Sequence, residues 1–259
     1  ELAVETAVLF LLVHALYKGG LFMAAGIIDH ETGTRDIRQL GGLRRMMPFT
    51  FTAVLLATLS MAGIPPLLGF IGKELMYESA LEIPGFSLLL TAILLLINML
   101  MVTVAGIMMI RPFLGELKEA RPHHQTPVSM WLGPILLGVT GLVLGAAVAS
   151  EFVSGNLISP ATSAIVGKEK QVHLALWHGL TPMLALSVVT WLGGAAMFAL
   201  YHRLQPGTVR LDTAVSHLVG PERWYHGLLD GILAFADWFT QLFQNGKLRY
   251  YLLYVMGTA

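Results

Sequence analysis

Apolar residues occur along the chain in long runs separated by short polar segments. Four runs are almost continuous, at residues 4–28, 86–110, 128–149 and 173–201. A further run at 48–77 is apolar but interrupted. Since roughly 20 apolar residues cross the hydrocarbon of a bilayer, the pattern predicts five transmembrane helices joined by loops.

The interrupted run contains Gly63, Pro65 and Pro66 near its middle. Proline lacks a backbone N–H, and its ring clashes with the preceding helical turn. This span is therefore predicted to be a broken helix. At membrane depth a break is tolerated only where protein or water satisfies the freed backbone groups.

The pattern changes after Arg203. Large apolar residues now recur at three- and four-residue intervals with charged and polar residues between them, namely Trp224, Leu228, Ile232, Phe235, Phe239 and Leu242. The stripe predicts an amphipathic helix that lies along the membrane surface or against a neighbouring protein. The apolar runs together predict an all-α polytopic helix bundle. Because the chain opens at Glu1 inside a helical pattern, we also expect it to be a piece of a longer protein.

Composition agrees with a lipid environment. The 259 residues are 55% hydrophobic and 12% charged, with a mean hydropathy of +0.69, whereas soluble domains carry about 25% charged residues. A net charge of zero without a long basic run argues against nucleic acid as a partner. The lack of cysteine excludes disulfides and thiolate metal sites. Arginines concentrate in the loops after the first, third and fifth spans, which predicts that the first span ends in the cytoplasm.

His14 and Lys18 are the ionisable residues placed deepest in the first span. They are four residues apart and share one face of a helix. An ionisable side chain at membrane depth costs at least about 2.5 kcal/mol, so it normally faces a bundle interior or a water-filled cavity. A lysine buried in this way can load and release a proton. The alternative is structural, with Lys18 reaching an interface or pairing with Glu5.

Lys73 and Glu74 follow the predicted break. Transporters commonly place binding sites at discontinuous helices, which makes Lys73 a candidate site residue. The spacing fits equally well with a span that stops at Gly72 and leaves Lys73 and Glu74 at its aqueous end.

The remaining polar residues carry weaker signals. His173 and His178 open the fifth span as interface histidines, His123 and His124 lie in a polar loop, and Asn98 can bond to a neighbouring helix. None of them indicates a metal site. No phosphate loop or hydrolytic triad is present in the sequence, so no cofactor is expected.

Several motifs together resemble a known family. They are HALYKGGLFM at 14–23, DIRQLGGL at 36–43, AGIPP at 62–66 and GFIGKE at 69–74. In this order they resemble the antiporter-like subunits of respiratory complex I, membrane-bound hydrogenases and Mrp-type cation/proton antiporters. Two further stretches, IDHETGTRD at 28–36 and HLALWHG at 173–179, look most like the large A subunit of the Mrp antiporter.

The resemblance implies two inverted five-helix repeats, each with a discontinuous helix. Residues 1–115 would hold the second half of the second repeat, and 116–204 two further transmembrane helices. Residues 205–246 would form a lateral amphipathic helix on the cytoplasmic side, and 247–259 the start of a truncated transmembrane helix.

The resemblance also assigns roles. His14 and Lys18 match the family's central proton relay, and Lys73 matches its exit lysine. Apart from the resemblance, Glu74 is a candidate partner of Lys73 because it is the next residue in the sequence. Phe10 departs from the pattern, because some complex I relatives carry a second histidine there. The relay is therefore expected to depend more on water at that depth.

These implications predict a proton-translocating subunit of a multisubunit monovalent cation (Na⁺)/proton antiporter. The sequence does not assign the residues that bind the cation. The expected surroundings of the chain are other antiporter subunits, the lipid bilayer and the prokaryotic cytoplasmic membrane. The alternatives are a proton-pumping subunit of a redox-driven complex, either complex I or a hydrogenase, and a purely structural helix bundle.

Overall fold

The described residues of the computed structural model fold into α-helices and short helical turns, without a β-strand. The described residues are 1–118, 122, 126–176, 179–219, 221–243, 252 and 255–257. Their helices are α1 (Leu2–Thr32), α2 (Pro48–Met61), α3 (Leu68–Leu81), α4 (Ser87–Phe113), α5 (Val128–Ala147), α6 (Ser159–Val166), α7 (Pro182–Val219) and α8 (Pro221–Phe243). The chain divides into two compact units, Glu1–Leu200 and Tyr201–Ala259.

Four described helices are long and apolar enough to cross a membrane: α1, α4, α5 and the part Pro182–Arg203 of α7. Helices α2 and α3 have 14 residues each. At about 1.5 Å per residue, each covers roughly 21 Å and falls short of the roughly 30 Å hydrocarbon layer. Together they form the predicted broken span. The fold class is confirmed as an all-α membrane helix bundle.

Helix α1 lies in the middle of the first unit and packs against α2, α3, α5 and α6. Small residues lie where α1 approaches α2 and α5. A Cβ added to Gly20 would lie 3.6 Å from the Pro134 carbonyl oxygen and 3.7 Å from the Ala57 Cβ. Close backbone contact through small residues is the usual packing of helices in lipid.

Helix α3 begins tightly against the end of α2. A Cβ added to Gly69 would overlap the backbone carbonyl of Ser60, and one added to Gly145 of α5 would overlap the carbonyl of Pro66. Glycine is therefore required at both positions, because backbone rather than a movable side chain fills the space. The break between the half-helices is held from two sides.

Some boundaries differ from the predicted ones. The fifth span begins at Pro182 rather than at residue 173, because Gly179 adopts a left-handed φ of 84° and proline favours the first turn of a helix. Residues 205–219 continue α7, so the amphipathic helix is α8 alone. The connection after α5 also contains α6, with Pro160 in its first turn. His123, His124, His178 and most of 247–259 lie outside the described residues.

Helix α8 forms half of the described part of the second unit. Its apolar side chains are exposed within the chain, including Trp224, Leu228 and Phe235. Arg223 and Asp230 are among the charged residues at other positions on the helix. Such a helix suits an interface with lipid or protein, so its lateral role stays a prediction.

Candidate functional site

Lys73 is buried where the broken span changes direction. Its side chain is only 4% exposed. The Nζ donates hydrogen bonds to the carbonyl oxygens of Ala62 at 3.3 Å and Gly63 at 3.1 Å. Lys73 is thus not a lysine at the aqueous end of a helix, and this alternative from the sequence is wrong.

Two consecutive prolines explain why the Ala62 carbonyl is available. In a continuous helix the carbonyl of Ala62 would accept the N–H of residue 66, and that of Met61 the N–H of residue 65. Pro65 and Pro66 have no N–H to donate. The last carbonyls of a helix also carry partial negative charge. The end of α2 therefore presents oxygen acceptors that suit an ammonium group.

Gly63 provides the room for Lys73 at this point. Its φ of 65° is left-handed, which an L side chain rarely adopts. A Cβ at this position would lie 2.7 Å from the Lys73 Cε and 2.8 Å from its Nζ. The glycine thus serves both the turn and the lysine.

Two aromatic rings complete the surroundings of the ammonium group. The Lys73 Nζ lies 4.4 Å from the centroid of the Trp191 ring and 6.0 Å from that of Phe70. The Trp191 Nε1 donates to the Ala62 carbonyl oxygen at 3.0 Å. Sequence reasoning missed Trp191. The sequence offered one indication of its role, a tryptophan inside an apolar span, because a buried indole N–H usually has a hydrogen-bond acceptor.

His14 is joined to a buried tyrosine on the same helix. Its Nδ1 and the Tyr17 hydroxyl are 2.9 Å apart, and their rings meet edge to face at 5.2 Å between centroids. The Phe10 ring lies 5.6 Å from the His14 ring. The tyrosine hydroxyl can both donate and accept, so it extends the polar character of His14. Tyr17 lies in the quoted motif but was missed as a functional candidate.

Lys18 is half-buried on α1. Among the residues that the structure describes, no hydrogen bond or ion pair joins Lys18, His14 and Lys73 to one another. Their helices nevertheless touch, since a Cβ added to Gly72 would lie 3.4 Å from Val13 Cγ2. Val13, which precedes His14, is therefore in contact with Gly72, which precedes Lys73.

Glu74 lines a cavity of about 290 Å³ together with Glu5, Glu78 and His173. Glu5 pairs with Lys170 at 3.3 Å, so its ion-pair partner is not Lys18. The hydrogen bonds that Lys170 donates to Glu5 and then to Glu1 raise the pKa of Lys170. The cavity brings carboxyl groups from α1 and α3 together on the side of Lys73 where α3 ends.

The first part of the chain matches a known family of membrane proteins. Residues 1–97 match the family described as NADH:quinone oxidoreductase/Mrp antiporter, transmembrane. The matched residues include His14, Lys18, Lys73 and Glu74. Residues 1–97 are thus similar to the transmembrane domain of that family.

The relatives extend the likeness to nearly the whole chain. It is 33% identical to the A subunit of the Na⁺/H⁺ antiporter of Bacillus subtilis and 30% identical to that of Alkalihalophilus pseudofirmus, covering 98% of this chain and 33% of each relative. The Mrp complex structure from Dietzia sp. DQ12-45-1b matches 99% of this chain and 27% of that chain, with 29% identity and a TM-score of 0.73. The chain is thus related to the A subunits of Na⁺/H⁺ antiporters and spans about a third of their length.

Proposed function

We propose that this chain forms half of the proton path in a multisubunit Na⁺/H⁺ antiporter of the prokaryotic cytoplasmic membrane. His14, Lys18 and Lys73 carry the proton, with buried water between them and Glu74 as the partner of Lys73. The observation that carries the proposal is the position of Lys73, buried in a helix break and bonded to two backbone carbonyls.

The surroundings of Lys73 suit a group that alternates between two protonation states. Burial disfavours the charged ammonium form, whereas the carbonyl oxygens of Ala62 and Gly63 favour it. Opposing influences of this kind keep both forms accessible. A charge on one lysine also disfavours a charge on the next, so proton occupancy of Lys18 and Lys73 is expected to alternate.

The proposed partners of this chain are other antiporter subunits and the lipid bilayer. Its relatives are named as subunits of Na⁺/H⁺ antiporters, which supports neighbouring antiporter subunits as partners. Cation movement in the opposite direction is coupled elsewhere in the assembly. The exposed apolar side of α8 offers a surface for lipid or a neighbouring subunit.

The proposal is tested with the full-length protein in its assembled complex. Lys18 and Lys73 are each replaced by Ala, and Lys168, an exposed lysine on a loop, is replaced by Ala as the control. Cation-driven proton movement is then measured in membrane vesicles at equal complex levels. We expect a loss of at least about tenfold for Lys73→Ala, because the charged hydrogen bonds that it removes are worth about 1.5–3 kcal/mol each. Lys18→Ala is expected to lose transport because it lacks a proposed proton carrier, and Lys168→Ala is expected to transport normally. Unchanged transport in both relay variants would overturn the proposal.

A redox-driven proton pump is the second candidate, because the matched family includes NADH:quinone oxidoreductase subunits. The same proton relay would then serve an electron-transfer complex. Transport in vesicles that lack any electron donor decides between the two. Cation-driven proton movement without a donor favours the antiporter, and a strict requirement for a donor favours the pump.

A further inference from the structure

Trp191 lies on α7, outside the residues that match the antiporter family, yet it contacts the centre of the candidate site. Its ring lies against the Lys73 ammonium group at 4.4 Å, and its N–H bonds to the carbonyl of Ala62. A single side chain thus contacts both the proton-carrying lysine and the backbone group to which this lysine is bonded.

We propose that Trp191 is a positioning residue that stabilises the charged form of Lys73 and holds its carbonyl acceptor in place. This inference rests on the proposed function of Lys73 in proton transfer. The face of an indole ring attracts a cation more strongly than the other aromatic rings do, and the attraction grows where water is excluded. Trp191 therefore sets the pH range in which Lys73 holds its proton.

The indole N–H has a separate effect. A carbonyl oxygen has two lone pairs, so Ala62 can accept from Trp191 at 3.0 Å and from Lys73 at 3.3 Å together. The N–H of Trp191 fixes the direction of a carbonyl that no longer belongs to a regular helix. Lys73 then meets an acceptor that does not need to reorient as the proton arrives.

Helix α7 is anchored beside the break by its own hydrogen bonds. The Tyr77 hydroxyl of α3 and the Thr190 hydroxyl are 2.6 Å apart and buried. Thr103 of α4 donates to the Gly194 carbonyl at 3.1 Å. Because these contacts lie on either side of Trp191 in the sequence, the indole is held in position by two neighbouring helices.

Ionisable groups lie on two elements packed near Lys73. Helix α1, which packs against α3, carries His14 and Lys18, and the others line the cavity beyond Lys73. Glu74 follows it on α3 and lines that cavity with Glu78, with Glu5 of α1 and with His173. Residues 182–200 of α7 contain no ionisable side chain. A change at Trp191 therefore alters the environment of Lys73 without removing a charge.

The test compares Trp191→Leu and Trp191→Phe in the full-length protein within the assembled complex. The readout is the pH at which cation-driven proton movement in vesicles is half-maximal. Loss of the ring contact disfavours the charged lysine, so Trp191→Leu is expected to shift this pH downward by roughly half a pH unit to 1.5 pH units. Trp191→Phe retains a ring and is expected to shift it less.

Trp131 supplies the control, since its ring stacks on Phe49 at 4.2 Å rather than on a lysine. Trp131→Leu is expected to leave the pH profile unchanged. An unshifted profile in both Trp191 variants, or an equal shift in Trp131→Leu, would overturn the inference. If Trp191→Leu does not assemble, the profile of Trp191→Phe decides alone.

The two proposals fail in different ways. Full transport by both Lys18→Ala and Lys73→Ala would remove the proposed function and this inference with it. Loss of transport in Lys73→Ala combined with an unchanged profile in both Trp191 variants would remove only the role of Trp191.

Discussion

Gly63→Ala introduces one methyl group beside the ammonium group of Lys73 in the proposed proton path. The new Cβ would lie 2.7 Å from the Lys73 Cε and 2.8 Å from its Nζ, and the backbone would keep a left-handed φ of 65°. A left-handed conformation costs roughly 1–2 kcal/mol for an L residue. A displaced ammonium group also loses hydrogen bonds that are each worth about 1.5–3 kcal/mol when charged.

These costs together predict that the complex containing Gly63→Ala assembles but transports poorly. A loss of one charged hydrogen bond corresponds to a factor of at least about ten in the population of the competent site. The assay is cation-driven proton movement in vesicles at equal complex levels. Gly141→Ala is the matched control, since a Cβ added there meets nothing within 4 Å. Full transport by an assembled Gly63→Ala complex would refute the reasoning.

Three further predictions concern the scaffold around the site. Tyr77→Phe removes a buried 2.6 Å hydrogen bond to Thr190, so the free energy of unfolding is expected to fall by about 1 kcal/mol. The melting temperature of the purified complex should fall accordingly, and an unchanged melting temperature would contradict this. Gly69→Ala is expected to abolish the level of this protein in membranes measured on immunoblots, because its Cβ would overlap the Ser60 backbone. Gly72→Ala is expected to keep a normal level, because its Cβ would lie 3.4 Å from the nearest atom, Val13 Cγ2. The raised pKa of Lys170 means that its ion pairs stabilise the fold below its ordinary pKa and lose this effect as pH rises through the raised value. Lys170→Gln should therefore lower thermal stability slightly at neutral pH and not at strongly alkaline pH, and an effect independent of pH would refute the role of charge.

The broken span was predictable because its cause is local. Pro65 and Pro66 lack the N–H groups that a continuous helix needs, and this follows from their chemistry alone. The apolar run lengths likewise predicted the spanning helices α1, α4 and α5. The start of α7 at Pro182 was missed because apolar residues on either side of Gly179 continue the hydrophobic pattern without continuing the helix.

The candidate site was only partly predictable. The depth of His14 and Lys18 follows from their place in an apolar run, whereas the burial of Lys73 depends on how α3 turns back onto the end of α2. Trp191 is 118 positions from Lys73, since 191 − 73 = 118. No periodicity in a single sequence reports such a contact, because it is made by packing between helices.

The proposed role of the ionisable side chains in this chain is to carry protons rather than merely to support the bundle. The most direct measurement is cation-driven proton movement by the assembled complex in which His14, Lys18 and Lys73 are replaced together by Gln, Met and Met. We expect the complex to assemble and its proton movement to fall to the level of vesicles without the complex. Normal transport by this variant would contradict the account and leave the chain with a structural role.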